Sequence, residues 1–74
     1  MNKARKKQLE SALSVLNGVM EVISELRDQE EEAFDNLPES IQESDRGDEM
    51  QGCIDSLSTA CDSLEDAIDS LEEI

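Results

Sequence analysis

A seven-residue repeat fills the last part of the chain. Residues 54–60 are Ile-Asp-Ser-Leu-Ser-Thr-Ala, residues 61–67 are Cys-Asp-Ser-Leu-Glu-Asp-Ala, and residues 68–74 are Ile-Asp-Ser-Leu-Glu-Glu-Ile. Apolar residues alternate at spacings of four and three, which predicts a helix packed in a left-handed bundle or coiled coil. Position g holds small residues that would let another helix approach closely. The a and d positions are Ile54, Cys61, Ile68 and Met50, Leu57, Leu64, Leu71.

An amphipathic pattern also runs through the first half of the chain, from about residue 3 to residue 36. Its apolar residues recur at intervals of three and four, as on one side of an α-helix. With Leu9 at position a, the stripe includes positions d and e, and Val15 and Val22 at position g widen it. A stripe this wide can contact more than one helix. Its d positions are Ala12, Val19, Leu26 and Ala33.

Two charged residues interrupt that stripe near its end. Arg27 and Glu30 occupy positions that apolar residues fill elsewhere. Two explanations are open. The stripe can rotate or end there, close to the connection, or the two residues can form a polar layer that sets the register of a dimer.

Helix-breaking residues separate the two segments. Leu37 precedes Pro38, the single proline, and a residue before proline is disfavoured in the helical conformation. We therefore expect a connection over residues 37–44 that contains a short helical turn, with Pro38 at its first position. Ser44 or Asp45 is the expected N-cap of the second long helix. Ile41 is expected to fill the end of the core beside Phe34, Leu37 and Met50.

These patterns predict one all-α domain over residues 1–74, an antiparallel helical hairpin with helices at about 3–36 and 45–73. Ordering 74 residues costs on the order of 110 kcal/mol. The chain has one aromatic residue, so we expect it to dimerise into a four-helix bundle. The expected oligomer and core residues are Leu9, Leu13, Leu16, Met20, Ile23, Phe34, Ile54, Leu57, Leu64, Ile68 and Leu71.

A resemblance accompanies these patterns. Residues 30–47, Glu-Glu-Glu-Ala-Phe-Asp-Asn-Leu-Pro-Glu-Ser-Ile-Gln-Glu-Ser-Asp-Arg-Gly, are followed by acidic heptads of leucine and isoleucine. This combination resembles a group of short acidic helical proteins from Gram-positive gut bacteria and their phages and mobile elements. The resemblance implies a phage or mobile-element origin. It implies no function.

Several functional classes find little support in the composition. The chain has no His, so a Ser or Cys nucleophile lacks its usual base, and we expect no enzymatic activity. We expect no metal site and no cofactor, since Asp45, Asp48 and Glu49 lack the residue order of a calcium loop. Cys53 and Cys61 are too far apart along one helix for an intrachain disulfide. They are expected to be reduced, packed thiols, with an intersubunit disulfide as the alternative.

The basic start of the chain is not followed by an apolar segment. Lys3, Arg5, Lys6 and Lys7 resemble the start of a signal peptide, but the next segment is amphipathic. We therefore expect a cytoplasmic protein that does not enter a membrane. The hairpin is expected to bring these cations beside Asp66, Asp69, Glu72 and Glu73 of the second helix.

Net charge is the main functional indication. The chain carries 20 acidic and 6 basic residues, a net charge of −14, which argues against direct binding to nucleic acid. Two copies carry −28, close to the roughly 26 charges of 45 Å of duplex DNA. One hypothesis is therefore charge mimicry that inhibits a basic nucleic-acid-binding protein, such as a defence nuclease. The expected partner-binding residues are Glu31, Glu32, Asp35, Asp48, Asp55, Asp62, Asp66, Asp69 and Glu73.

Two other functions use the apolar stripes instead. The first is an oligomerisation or scaffolding bundle, in which the acidic residues only keep the protein in solution. The second is an open hairpin that receives a helix of a partner protein on the wide stripe that includes Val15 and Val22.

Overall fold

The structure, a computed structural model of residues 1–74, is an antiparallel helical hairpin. Helix α1 spans Lys3–Asp35, α2 is a single turn at Glu39–Gln42, and α3 spans Asp45–Glu72. The long helices pack against each other along a rod of 58 × 15 × 13 Å. The predicted all-α helical hairpin is confirmed.

Local sequence signals set the helix ends. Asn2 is the N-cap of α1, and its side-chain oxygen accepts a hydrogen bond from the backbone N–H of Arg5 at 2.8 Å. Helix α1 ends before Pro38, which has no N–H to continue a helix. Pro38 itself is the N-cap of α2 rather than its first residue, and its carbonyl accepts from the N–H groups of Ile41 and Gln42.

Ser44 is the N-cap residue of α3 but does not cap it with its side chain. Its hydroxyl instead donates to the carbonyl of Ile41, at the end of α2. The hydroxyl therefore ties α2 to the start of α3, and the first N–H groups of α3 receive no help from this side chain.

The two helices meet along one heptad line from each. The α3 line is the predicted one, and it contains the three side chains that are less than one-tenth exposed: Ile54, Cys61 and Ile68. On α1 the half-buried line uses positions a and e in the lettering above. Its members are Leu9, Leu13, Leu16, Met20, Ile23, Arg27, Glu30 and Phe34.

The d positions of α1 lie outside the contact with α3. Val19 and Leu26 are 43% and 46% exposed, and Ala12 and Ala33 are also exposed. Position e carries larger side chains, including Leu13, Met20 and Phe34, so turning it toward α3 buries more apolar surface than turning position d would. The d line is left at the side of the hairpin.

The end of the core also differs from expectation. Ile41 is 36% exposed and does not fill the space beside Phe34. Gln42 is half-buried instead, and its Nε2 donates to the carbonyl of Phe34 at 3.0 Å. Gly47 is buried directly under α2, where a Cβ would lie 1.9 Å from the carbonyl oxygen of Gln42. Only glycine therefore permits this approach of α2 to α3.

Candidate functional site

The hairpin has two long sides of opposite character, since each helix has a different set of residues on either flank of the core. One side, here called the polar side, has polar and charged lining residues near its middle: Asn17, Glu21, Ser24, Glu25 and Arg27 of α1, and Asp62 and Glu65 of α3. The other, here called the apolar side, is lined by Leu26 and Glu30 of α1 and by Glu49, Gly52, Cys53, Ser56 and Leu57 of α3.

Acidic residues concentrate on the polar side. Glu31 and Asp35 lie there together with Gln51 across the helix pair. Residues seven apart stay on nearly the same line of a helix. Twelve of the 20 acidic residues lie on this side: Glu25, which reaches the cleft from the back of α1, and the acidic residues on the heptad lines of Asn17, Glu21, Asp62 and Glu65, namely Glu10, Glu21, Asp28, Glu31 and Asp35 of α1 and Asp48, Asp55, Asp62, Glu65, Asp69 and Glu72 of α3.

One line of α3 on this side consists only of aspartates. Asp48, Asp55, Asp62 and Asp69 are all exposed and share one heptad position. At a rise of 1.5 Å per residue they follow one another at about 10.5 Å. Together they form a regular row of carboxylates about 32 Å long, along a little more than half of the 58 Å rod, here called the aspartate row.

The nine residues expected to bind a partner are all exposed, but they do not form one surface. Six lie on the polar side: Glu31, Asp35 and the four members of the aspartate row. Asp66 and Glu73 share a heptad position on the back of α3, away from α1, and Glu32 lies on the back of α1.

Sequence reasoning missed part of the polar side. Glu21, Glu25 and Glu65 line the same cleft as Asp62 but were not among the expected residues. The signal for Glu65 was available, because its heptad position is adjacent to the inner line of α3. For Glu21 and Glu25 it was not, because the rotation of α1 depends on which of its apolar lines faces α3.

The expected cross-helix ion pairs do not form. The only salt bridge in the molecule joins Arg27 to its neighbour Asp28, at 3.2 Å, and Arg27 also donates to the Ser24 hydroxyl at 3.2 Å. Lys6 and Glu72 line the same recess near the chain ends but make no ion pair. Charge pairing therefore does not hold the two helices in register, and the apolar contacts do so.

The apolar side carries large exposed side chains on α1. Val15, Val19, Val22 and Leu26 are 64%, 43%, 54% and 46% exposed. Their spacing of four, three and four makes a second heptad line on the same helix. At about 100° per residue, its centre lies roughly 110° around α1 from the line that faces α3. Neighbouring helices of a four-helix bundle meet a given helix at about this angle.

Helix α3 contributes small residues to the same side. Cys53 is exposed there, next to Gly52 and Ser56, and the equivalent positions further along are Ala60 and Ala67. Cys61 is buried in the core, and both thiols are free. The apolar side is therefore a ridge of branched residues on α1 beside a shallow strip on α3.

Metal, membrane and family comparisons add no assignment to these two sides. No group of three or more His, Cys, Asp or Glu residues is arranged to hold a metal ion. Neither long helix has a stretch apolar enough to cross a membrane. Comparison with known protein families, curated proteins and solved structures found no match to this chain.

Proposed function

We propose that this protein is a non-enzymatic, cytoplasmic binding protein that inhibits a basic nucleic-acid-binding protein by presenting an acidic surface in place of nucleic acid. The resemblance noted above supports a phage or mobile-element origin. For such a protein, a host defence nuclease or a repressor is a fitting target. The binding surface is the polar side of the hairpin.

The observation that carries this proposal is the separation of charge from apolar surface. Twelve of the 20 acidic residues line one side of a 58 Å rod, where the basic residues are confined to Arg27 and the start of the chain, whereas Val15, Val19, Val22 and Leu26 lie exposed on the other side. A purely solvating set of charges has no need of this separation. A surface that binds in a basic groove in place of nucleic acid does need this separation, because apolar side chains would interrupt the row of negative charges that stands in for the phosphates.

The charge density is of the right order. A duplex as long as the rod, 58 Å, carries about 34 phosphate charges at one per 1.7 Å. Two copies of the chain carry −28 over the same length. A basic groove that binds duplex nucleic acid would therefore meet a comparable field.

The decisive experiment reverses the aspartate row. Asp55, Asp62 and Asp69 are changed together to lysine, which raises the net charge from −14 to −8. The matched control changes Glu39, Glu43 and Glu49, at the connection end, to lysine and produces the same net charge. Circular dichroism of both triple variants confirms that they stay helical.

Each protein is then used as bait in a host-cell lysate. We expect the wild type and the control to capture the same basic protein, released by high salt and displaced by duplex DNA. The aspartate-row variant is expected to lose it. Equal capture by both triple variants would refute this assignment of the surface, and capture that duplex DNA does not displace would refute the mimicry.

The exposed apolar side favours a second candidate function, an oligomerisation or scaffolding module. In that case the apolar ridge carries the activity, and the acidic residues only keep the assembly in solution. Val22→Asp would then abolish activity, while the aspartate-row variant would keep it. Val22 suits this test because it is 54% exposed in the hairpin, whereas Leu57 and Leu64 are half-buried and help to pack the hairpin itself.

A further inference from the structure

We infer that the apolar side of the hairpin binds a second copy of this chain, related by a two-fold axis perpendicular to the rod. The product is an antiparallel four-helix bundle in which α1 lies on the partner's α1 and α3 on the partner's α3. This inference concerns the apolar side only and stands whether or not the polar side mimics nucleic acid.

The first support is the ridge on α1. Val15, Val19, Val22 and Leu26 form a continuous heptad line, and each keeps between 43% and 64% of its surface exposed. A heptad line about 110° from the line that already faces α3 is the second contact line that a helix of a four-helix bundle requires. Scattered exposed apolar residues would not show this spacing.

The second support is the match between the available area and a dimer interface. The broad side of the rod measures 58 × 15 Å, about 870 Å² in projection. A stable interface buries about 800 Å² on each partner. Within the hairpin only three side chains are less than one-tenth exposed. A large part of its apolar surface therefore remains available for contact with a second copy.

The arrangement of small residues suits the antiparallel dimer. The two α3 helices would face each other through Cys53, Ala60 and Ala67, whose short side chains allow a close approach. The two α1 helices would meet through branched side chains at a wider separation. The interface then has one close pair and one wide pair of helices.

Charge selects the antiparallel orientation over the parallel one. Residues 20–58, the half of the rod near the connection, hold 13 acidic and 2 basic residues, a net charge of −11. The half near the chain ends holds 7 acidic and 4 basic residues, a net charge of −3. In the antiparallel dimer each strongly charged half faces a weakly charged half of the partner. The repulsion between facing halves, taken as the sum of the products of their charges, is then about half of that in the parallel dimer.

The same orientation brings a cation of the apolar side near acidic residues of the partner. Arg5 shares the heptad position of Ala12, Val19 and Leu26 and has no ion-pair partner within the hairpin. In the antiparallel dimer it lies toward the partner's connection end, the end at which carboxylates line the apolar side. In a parallel dimer the two connection ends would repel each other.

The experiment measures mass in solution for the full chain. The wild type is expected to sediment as a dimer of about twice 8.2 kDa, and Val22→Asp as the 8.2 kDa monomer with its helicity kept. The matched control is Ser14→Asp, which adds the same charge at an exposed site one heptad before Glu21, on the far side of α1. It is expected to stay dimeric.

A thiol cross-link tests the orientation. Cys53→Ser leaves the buried Cys61 as the only native thiol, and Val19→Cys or Leu26→Cys is added to it. Val19 is the midpoint of α1, so two copies meet near the axis. The two copies of position 26 would be separated by about 21 Å along the rod. We expect a disulfide dimer with Val19→Cys and none with Leu26→Cys.

Three results would overturn the inference. A wild type that stays at 8.2 kDa would exclude a second copy and leave another protein as the occupant of the apolar side. A dimer that survives Val22→Asp would place the interface elsewhere. A dimer in which Leu26→Cys links as readily as Val19→Cys would exclude the antiparallel register. A monomer would halve the charge carried along the rod, but capture of a basic protein by the polar side is measured separately, so failure here is distinguishable from failure of the proposed function.

Discussion

Replacing Gly47 with alanine should destabilise the hairpin, although alanine is the better helix former. Gly47 lies in the first turn of α3, buried beneath α2. A Cβ at this position would lie 1.9 Å from the carbonyl oxygen of Gln42, and 2.5 and 2.8 Å from its carbonyl carbon and Cα. All three are backbone atoms, so no side-chain rotation can relieve the clash. Helix α2 itself must move by at least about 1 Å, since Cβ contacts shorter than 3.0 Å essentially do not occur.

The magnitude follows from what that movement disturbs. Forcing a methyl group into a packed site costs about 1–3 kcal/mol. Shifting α2 also weakens the hydrogen bond from Gln42 Nε2 to the Phe34 carbonyl, worth about 1 kcal/mol. Alanine returns up to about 1 kcal/mol through its helix propensity. We therefore expect a net loss of about 1–3 kcal/mol.

Gly18→Ala is the matched control. It makes the same substitution inside α1, where no atom lies within 4 Å of the added Cβ. Only the propensity gain applies there, so this variant should be stabilised by about 0.5–1 kcal/mol. The two glycine variants should therefore differ by about 1.5–4 kcal/mol in free energy of unfolding, a gap well above the error of a measurement.

Urea unfolding followed by far-UV circular dichroism is the appropriate assay. The chain has no Trp or Tyr, so intrinsic fluorescence offers no useful probe. All proteins are compared at one concentration, because self-association would add to the apparent stability. A Gly47→Ala protein as stable as the wild type, or one that gains as much as Gly18→Ala, would refute the close approach of α2 to α3.

Three further predictions concern the core, the caps and the charge, and each is measured by the same unfolding assay. Ile68→Ala should lose about 2–5 kcal/mol because Ile68 is 4% exposed, whereas Ile74→Ala, at a site 61% exposed, should stay within about 0.5 kcal/mol of the wild type. Equal losses would contradict the assigned core. Asn2→Ala should cost about 1 kcal/mol and reduce helicity at the start of α1, because it removes a side-chain cap, while Ser44→Ala should reduce helicity less, because the Ser44 hydroxyl donates to the Ile41 carbonyl and caps no N–H of α3. The reverse order would refute these cap assignments. Added sodium chloride should raise the free energy of unfolding, because it screens the repulsion within a chain of net charge −14 that has one salt bridge, and a loss of stability with salt would indicate ion pairs that the hairpin lacks.

Much of the fold could be predicted from the local pattern. The heptads of residues 54–74 predicted a helix and its inner line, and Ile54, Cys61 and Ile68 are the three most buried side chains. The break at Leu37 and Pro38 predicted that the chain turns back on itself. Both signals are local, because a proline and a short-range apolar period act through the conformation of neighbouring residues.

The apolar stripe alone determined the rotation of α1 less sharply, although the expected core residues Leu13 and Met20 lie on the line that faces α3. Its apolar residues cover positions a, d, e and g, so two heptad lines about 110° apart could each face a neighbour. Only packing against α3 selects the line with Leu13 and Met20 and leaves Val19 and Leu26 at the surface. That same choice decides which acidic residues of α1 join the aspartate row on the polar side.

The connection illustrates the same limit on a smaller scale. Ile41 is apolar and was expected inside, yet Gln42 is the more buried residue. One turn of helix can bury only one of its faces, and Gln42 faces inward where it donates to the open carbonyl of Phe34 at the end of α1. Hydropathy alone does not show that a backbone acceptor needs a partner at that point.

Helix content, the turn and the inner line of α3 were therefore determined by the sequence itself, since they depend on conformational preferences over a few neighbouring residues. The tertiary structure decided the rotation of α1, the close contact at Gly47 and the division of the surface into a polar and an apolar side. These depend on residues that are distant in the chain, and their energies exist only once the two helices touch.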